Sequence, residues 1–326
     1  MQGTLTREGA SQDATKENVH AALAGGGFFW LDLDDGETDG TVGELLTGEF
    51  GFHPLAVQAA QRFSQRPRMD EYDGFTYLVT RGADPDKTGQ AEVHCFWTDT
   101  FVVTVHRGDC PALQQVRERI GRHRAAEVAS PQIVVVYLVI DALVESFFPV
   151  LSDFDDRIDT LEDDILKAPT EAQLGVLFDM KRSLMEMRKA ITPQRDMMAN
   201  INTSADDVPG MTPEAAHYFR DLYDHLIRLA DLVDSYRDLL SSVMDTHLST
   251  VSNRLNVVMK QLAIIATVFL PLSFLTGFFG QNFGFLVAHL TGKWTFLVLG
   301  IGTELVAIVL LFTLFKRRGW LGGPTV

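Results

Sequence analysis

The hydrophobic residues of this chain are concentrated near its C-terminus, in two long apolar runs. Residues 262–279 contain no charged side chain, and residues 294–315 contain a single one, that of Glu304. As helices with a rise of 1.5 Å per residue, these runs are about 27 and 33 Å long, enough to cross a hydrocarbon core of roughly 30 Å. The pattern predicts two membrane-spanning helices, with two buried core helices as the alternative.

Basic side chains predict the orientation of the two spans. Arg254 and Lys260 precede the first span, and Lys316, Arg317 and Arg318 follow the second. Since cytoplasmic flanks are enriched in Lys and Arg, we expect a multi-pass protein of the cell (inner) membrane, in contact with lipid and with both termini in the cytoplasm. Two helices per chain cannot enclose a water-filled path, so several copies have to assemble around an axis if ions cross.

The N-terminal part alternates short strand-like and helical segments. β-Branched and aromatic residues predict strands at 27–33, 75–81, 91–98 and 100–106, and helical spacing predicts helices at 53–63 and 112–128. We therefore expect a cytoplasmic mixed α/β domain over residues 1–130. Strand signals end at Pro131, where two long amphipathic helices, separated near Pro169, are predicted to follow.

A long stalk helix is predicted from Pro213 into the first span, to Phe279. It has 67 residues and a length of about 100 Å. Its apolar residues recur with alternating spacings of four and three, which is typical of a heptad seam: Leu222, Leu226, Leu229, Val233, Tyr236, Leu240 and Val243. The chain thus divides into the α/β domain, a helical cytoplasmic region over 131–260 and a transmembrane hairpin with a basic tail over 261–326.

Charge is distributed unevenly along the chain. There are 28 basic and 43 acidic side chains, a formal charge of −15. The last 76 residues hold six basic and one acidic side chain, so the first 250 account for −20. Such an acidic body repels nucleic acid phosphates and favours cations as partners. Since no phosphate-binding glycine loop or nucleophilic triad motif stands out, we expect neither an enzyme nor a cofactor.

Acidic and histidine residues of the stalk are candidate cation ligands. An aspartate repeats every seven residues, at Asp224, Asp231, Asp238 and Asp245. These carboxylates form either a solvated outer face or, in an axial assembly, stacked rings that concentrate cations near the membrane. His217, Asp221 and His225 lie at i, i+4 and i+8 beside Asp224, a spacing that suits either metal ligands or an ordinary helix surface.

A stripe with helical spacing runs along the first span, and small or weakly polar side chains dominate its outer half. Its members are Asn256, Met259, Leu262 or Ala263, Ala266, Leu270, Ser273, Gly277 and Gly280. The stripe is either a close-packed helix interface or the lining of a pore. Pro271 removes a backbone donor and frees the carbonyl of Thr267. In the second span Glu304 is costly to bury, so it is functional, protonated, or bonded to a neighbour's Ser273 or Thr276.

The stretch 256–283, NVVMKQLAIIATVFLPLSFLTGFFGQNF, resembles the first membrane helix and signature turn of the CorA family of divalent-cation transporters, in which the turn is usually Gly-Met-Asn. Further similar segments are YFRDLYDH at 218–225, VSN at 251–253, QRP at 65–67 with Tyr72, FVVTVH at 101–106 and FKRRGWL at 315–321. The resemblance covers most of the chain after about residue 50.

The resemblance implies a homopentamer with a cytoplasmic funnel, in which five long helices line one pore and the second spans lie outside them. It assigns the turn Gly280-Gln281-Asn282 to the outer selectivity ring and Asp245 to the cytoplasmic pore mouth. It also assigns the pore lining to Asn256, Met259, Leu262, Ala266, Leu270, Ser273 and Gly277. Asp221 matches a regulatory cation site that a neighbouring subunit completes, with His217, Asp224 and His225 as further candidate ligands. Divalent metal ions are then both substrate and regulator.

Two departures from the family pattern leave the ion open. Gln281 replaces the usual Met, and the outer loop 283–294 contains His289 and Lys293 but no Asp or Glu. The resemblance favours Mg²⁺ as cargo, with Co²⁺ or Ni²⁺ as further ions. The missing outer carboxylates leave a ZntB-like Zn²⁺ transporter as the alternative, with proton coupling at Glu304 as an option. A non-conducting membrane cation sensor or scaffold is the alternative of another class.

Overall fold

A computed structural model describes residues 2–7, 9–36, 40–83, 90–122, 130–203, 208, 210–281, 283–289, 292–318 and 320. The chain forms two compact units, Met1–Met244 and Asp245–Val326. The division at residues 130 and 260 that the sequence suggests stays a prediction.

The N-terminal unit is built on one seven-stranded sheet. Its strands are β1 Gln2–Arg7, β2 Ala10–Asp13, β3 Phe29–Asp34, β4 Arg68–Tyr72, β5 Phe75–Ala83, β6 Gln90–Trp97 and β7 Phe101–His106. Their order is β2-β1-β3-β7-β6-β5-β4, and β3 and β7 pair in parallel while the other neighbours pair antiparallel. The four predicted strands are confirmed. β1, β2 and β4 are additional, and their polar sequences gave no strand signal.

Helices cover both faces of the sheet. The helices of the N-terminal unit are α1 Lys16–Gly25, α2 Thr41–Gly48, α3 Pro54–Gln61, α4 Pro111–Arg122, α5 Pro131–Glu145, α6 Phe147–Lys167, α7 Glu171–Thr203 and the first part of α8 Pro213–Phe279. Apolar residues of α1, α2 and α3 share one core with one sheet face. The other face packs in a second core with α4 and the helices that follow. Alternate residues of β6 enter the two cores, as the two-residue period of a strand requires.

The two long helices predicted after Pro131 are three helices in the structure. α5 and α6 meet at Ser146, a break that the sequence pattern did not predict. The Ser146 hydroxyl donates to the Leu143 carbonyl at 2.6 Å and accepts from the Ala83 N–H at 2.8 Å, so it serves the end of β5. The predicted break near Pro169 is confirmed, since α6 ends at Lys167 and α7 begins at Glu171.

The predicted stalk helix is confirmed as α8, one helix of 67 residues. Its seam residues are buried in the N-terminal unit, except for Tyr236, which packs partly buried against the same core. The heptad pattern therefore marks packing against other helices of the same chain.

The C-terminal unit contains the rest of α8, α9 Gly284–His289, α10 Lys293–Thr295, a π-helical turn at Phe296–Gly302 and α11 Thr303–Arg317. Three stretches of the described chain are long and apolar enough to span a membrane. The apolar window of Pro131–Lys167 is 56% buried, whereas those of Pro213–Phe279 and Lys293–Arg317 are 0% buried. The first stretch therefore belongs to the core of the N-terminal unit, and the two C-terminal runs are not core helices of this chain.

Candidate functional site

The predicted stripe is exposed, as are the other faces of α8 over the same residues, where Ile265, Phe269 and Phe274 are exposed too. Every member from Asn256 to Gly277 is exposed in the single chain, including Met259 at 65% and Leu270 at 71%. A Cβ added at Gly277 would have no neighbour within 4 Å. Nothing inside the described chain therefore explains why this face carries small side chains.

The signature turn ends α8 in a defined way. The Gly280 N–H donates to the Thr276 carbonyl at 2.9 Å, and the Gln281 N–H donates to the Phe278 carbonyl at 3.3 Å. Gln281 is exposed. Asn282, to which the sequence assigns the selectivity ring, lies outside the described residues, so its role stays a prediction.

The four aspartates spaced by seven residues are all exposed, so they lie off the buried seam. Asp238 lies 3.5 Å from a guanidinium nitrogen of Arg237, which offsets part of its charge. For Asp245 the described residues provide no ion pair or hydrogen bond. An unpaired, exposed carboxylate attracts mobile cations, which is what the predicted pore mouth requires.

The predicted regulatory site is incomplete in one chain. Asp221 is exposed, and its Oδ2 lies 3.6 Å from Nε2 of His225, which is half-buried against the edge of the Phe148 ring. Asp224 and His217 are exposed beside them. Among the described residues no three His, Cys, Asp or Glu side chains are grouped closely enough to hold a metal ion. Any cation at Asp221 needs ligands from outside the described chain.

The charge of Asp221 nevertheless acts on a neighbouring side chain, that of Tyr137. Burial, followed by the charges of Asp141 and Asp221, raises the pKa of Tyr137 to about 12. The Tyr137 ring packs on that of Tyr218, with 5.1 Å between the centroids. Asp221 therefore adds negative potential where α5 and α8 meet, and a bound cation would relieve it.

Glu304 lies in the first turn of α11, directly after the π-helical turn. Its side chain is half-buried and has no hydrogen bond or ion pair with the described residues. The π-helical turn was not predicted, although Gly300 and Gly302 are the kind of sequence signal that accompanies irregular winding.

In the outer loop, the His289 ring stacks on the Phe285 ring, with 4.3 Å between the centroids. Its Nδ1 bonds to the Phe285 carbonyl at 3.0 Å.

Comparison with known proteins identifies the family of the chain. The family model described as CorA-like Mg²⁺ transporter protein matches residues 25–317. The cobalt/magnesium transport protein CorA of Thermotoga maritima is 34% identical over 284 residues, covering 86% of this chain and 79% of that protein. The zinc transport protein ZntB of Pectobacterium atrosepticum is 24% identical over 227 residues, covering 68% of this chain and 67% of that protein.

The complete structure of the CorA magnesium transporter from Methanocaldococcus jannaschii is similar with a TM-score of 0.84 at 20% identity, covering 98% of this chain and 99% of that chain. This similarity confirms the predicted fold class, an α/β domain with a long helix and C-terminal helices. The family match confirms the predicted membership of the CorA family. The chain belongs to the CorA-like Mg²⁺ transporter family, and it is a membrane transporter of divalent metal ions, not an enzyme.

Proposed function

We propose that the chain is one subunit of a homopentameric, channel-like transporter that carries Mg²⁺, with Co²⁺ and Ni²⁺ as further ions. Both termini face the cytoplasm of a cell whose inner membrane the hairpin crosses. The observation that carries this proposal is the uncovered stripe of α8, from Asn256 to Gly277. Since two helices cannot enclose water, α8 helices from several copies bring their stripes together around one axis.

The signature turn suits a hydrated ion. Mg²⁺ gives up its water reluctantly, and the neutral amide oxygens of Asn282 and Gln281 accept hydrogen bonds from that water without the strong attraction of carboxylates. Rings of Met259 and Leu262, both exposed on α8, close the path by excluding water. Asp245 raises the local cation concentration at the inner end.

Cytosolic cations regulate the path through Asp221. Five copies of this exposed carboxylate repel one another or their neighbours' acids across subunit contacts unless a cation lies between them. Loss of the cation loosens the contacts and favours the open state. The half-buried His225 beside Asp221 fits a ligand of the same ion.

The relatives favour magnesium and cobalt over zinc. This chain is 34% identical to a protein named for cobalt and magnesium transport and 24% identical to one named for zinc transport. One observation favours Zn²⁺ as the second candidate: the outer loop carries His289 and lacks Asp and Glu, and imidazole is a good zinc ligand.

Uptake by purified protein in liposomes tests the proposal. We expect Mg²⁺ and Co²⁺ uptake in the wild type and a loss of at least tenfold in Asn282→Ala. The matched control is Gln261→Ala, which removes an exposed amide of α8 outside the stripe and should transport normally. Zn²⁺ uptake without Mg²⁺ uptake would establish the second candidate. A strictly monomeric protein, or full ion uptake by Asn282→Ala, would contradict the proposed path. A correctly folded wild type that takes up none of these ions would indicate a sensor.

A further inference from the structure

Pro271 leaves one backbone carbonyl of the first span without its usual partner. Proline has no N–H, so the carbonyl of Thr267, four residues earlier in α8, loses its helical donor. The Thr267 hydroxyl donates to the Ala263 carbonyl at 2.7 Å and is not available to its own residue. No described side chain donates to the Thr267 carbonyl. Because lipid offers no hydrogen bonds, the donor has to come from water in the path, from a local shift of the helical bonds or from a neighbouring helix.

Glu304 presents the complementary problem in the second span. It is the single acidic residue of the run 294–315. An ionised carboxylate in the hydrocarbon region is expensive, whereas the protonated acid is neutral and carries one O–H donor. The described residues of the same chain provide no acceptor for that donor. A donor without an acceptor and an acceptor without a donor thus lie in the two spans.

Counted along the chain, the two groups lie at similar distances from the helix ends that flank the outer loop. Thr267 is 12 residues before Phe279, where α8 ends, which corresponds to about 18 Å of helix. Glu304 is 11 residues after Lys293, where α10 begins, which corresponds to at most about 17 Å, because the π-helical residues 296–302 rise less per residue than an α-helix. The hydroxyls of Ser273 and Thr276 lie closer to the outer end, about 9 and 5 Å from Phe279. Thr276 already donates to the carbonyls of Leu272 and Ser273 at 2.9 and 3.1 Å.

The π-helical turn sets the face on which Glu304 lies. Winding with bonds from i to i+5 turns the residues after Gly302 to a different face than an α-helix would. Two backbone carbonyls of the turn have a donor close by, since the Thr303 hydroxyl donates to the carbonyls of Leu299 and Gly300. A Cβ on Gly302 would lie 3.3 Å from the Leu297 carbonyl, so the turn has little room for a larger residue. Such turns are frequent at functional positions.

We propose that Glu304 is protonated in the membrane and donates its carboxyl O–H to the Thr267 carbonyl on α8 of a second copy of the chain. The partner is a second copy because neither group is paired within the described chain and both apolar windows are 0% buried in it. The inference rests on the proposed assembly. It makes Glu304 a positioning residue that holds the outer helix of one subunit against α8 of the next, one turn before Pro271.

A double-mutant cycle in the full-length protein tests the bond. Glu304→Leu should lower the midpoint of thermal dissociation of the oligomer by several degrees, while Glu304→Gln, whose amide N–H still donates, should restore most of the loss. In a Pro271→Ala background Glu304→Leu should cost little, because the alanine N–H supplies the missing helical donor to the Thr267 carbonyl. Thr313→Val is the control, since that hydroxyl bonds only within α11. Equal costs of Glu304→Leu in both backgrounds would overturn the proposal.

Cross-linking tests the identity of the partner. In a Thr267→Cys and Glu304→Cys double variant, a short bismaleimide should produce covalent dimers and larger species. The native Cys95 and Cys110 are buried, so the wild type should stay monomeric on the denaturing gel. Cross-links confined within single chains, or none, would refute the contact with a second copy.

Infrared spectroscopy tests the protonation of Glu304. A carbonyl band of a protonated carboxyl, lost in Glu304→Gln, is expected at neutral pH, and its absence would refute protonation. Native mass spectrometry of the wild type measures the assembly separately. A pentamer in which the costs of Glu304→Leu and Pro271→Ala simply add would refute the bond between Glu304 and Thr267 and leave the proposed assembly intact.

Discussion

The side chain of Gln194 closes a part of the sheet edge that β4 leaves open. β4 pairs with β5 only as far as Val79, whereas β5 continues to Ala83. Beyond that point the Arg81 N–H donates to Gln194 Oε1 at 3.0 Å, and Gln194 Nε2 donates to the Arg81 carbonyl at 3.1 Å. The Thr80 hydroxyl donates to the same Oε1 at 2.6 Å. One fully buried amide of α7 thus replaces a neighbouring strand.

The substitution Gln194→Leu puts an apolar side chain of similar size in place of the amide and removes all three hydrogen bonds. A buried polar group left without a partner costs about 1–3 kcal/mol. The Thr80 hydroxyl can rotate toward another acceptor, so we count the N–H and the carbonyl of Arg81 and expect a loss of about 3 kcal/mol in the free energy of unfolding. In a unit of this size each kcal/mol lowers the melting temperature by about 2–4 °C, which gives an expected fall of about 6–12 °C.

Tryptophan fluorescence during heating of the purified full-length protein measures this fall, because Trp30 and Trp97 are buried in the N-terminal unit. The control is Gln114→Leu, which removes an exposed amide bonded to Asp109 at 2.7 Å and should change the midpoint little. If Gln194→Leu shifts the midpoint no more than this control, the two-sided pairing of Arg81 contributes nothing to stability and the reasoning is wrong.

Three further predictions concern charged residues. Asp221→Ala should raise the internal Mg²⁺ concentration that half-represses liposome uptake by several-fold, with Glu214→Ala as an exposed control on the same helix; equal repression would exclude the regulatory role. Asp245→Asn should slow uptake most at low ionic strength, where an unscreened carboxylate attracts cations best, whereas Asp179→Asn should not; a loss independent of salt would contradict the electrostatic role. Burial opposes ionisation of Glu92, but the His94 imidazole, whose Nε2 lies 3.1 Å from Glu92 Oε1, the hydrogen bond from the Gln65 N–H and the charge of Arg81 lower its pKa. Its stabilising contribution is therefore present at neutral pH and lost as the pH falls through that lowered pKa. Glu92→Gln should melt earlier at pH 7 and lose less stability on acidification, and parallel pH profiles for both proteins would argue against it.

The sequence predicted those elements whose side chains repeat with the period of the structure. The seam from Leu222 to Val243 fits the helical period, and each of its residues contacts the core that the pattern implied. β7 was predictable because Val102, Val103 and Val105 are β-branched and enter the two cores on either side of the sheet. In both cases the local pattern and the tertiary packing require the same residues.

The elements that were missed depend on backbone pairing with distant residues. Arg68–Tyr72 reads as polar, and it is a strand because residues 75–79 of β5 pair with it. Gln2–Arg7 lies between β2 and β3 and is likewise fixed by its neighbours. The break between α5 and α6 has a local signal in Pro149, which has no N–H to donate to the Glu145 carbonyl, whereas the bond of the Ser146 hydroxyl to Ala83, 63 residues away, has none. A single sequence read in local windows contains no signal for such contacts.

The candidate site is a different case, because its residues stay predictions from the sequence and one chain does not bring them together. Gly277 shows why. A Cβ there would contact nothing in its own chain, and lipid tolerates a large apolar side chain as readily as a glycine. Neither the fold of the subunit nor its exposure to the membrane therefore explains why Ala266, Ser273 and Gly277 are all small. Close approach of helices from other copies does explain it, and the same approach would bring the amides of the signature turn and the carboxylates of Asp245 into rings. In the proposed assembly the site is therefore shared between copies, and the stripe is the part of it that one chain contains.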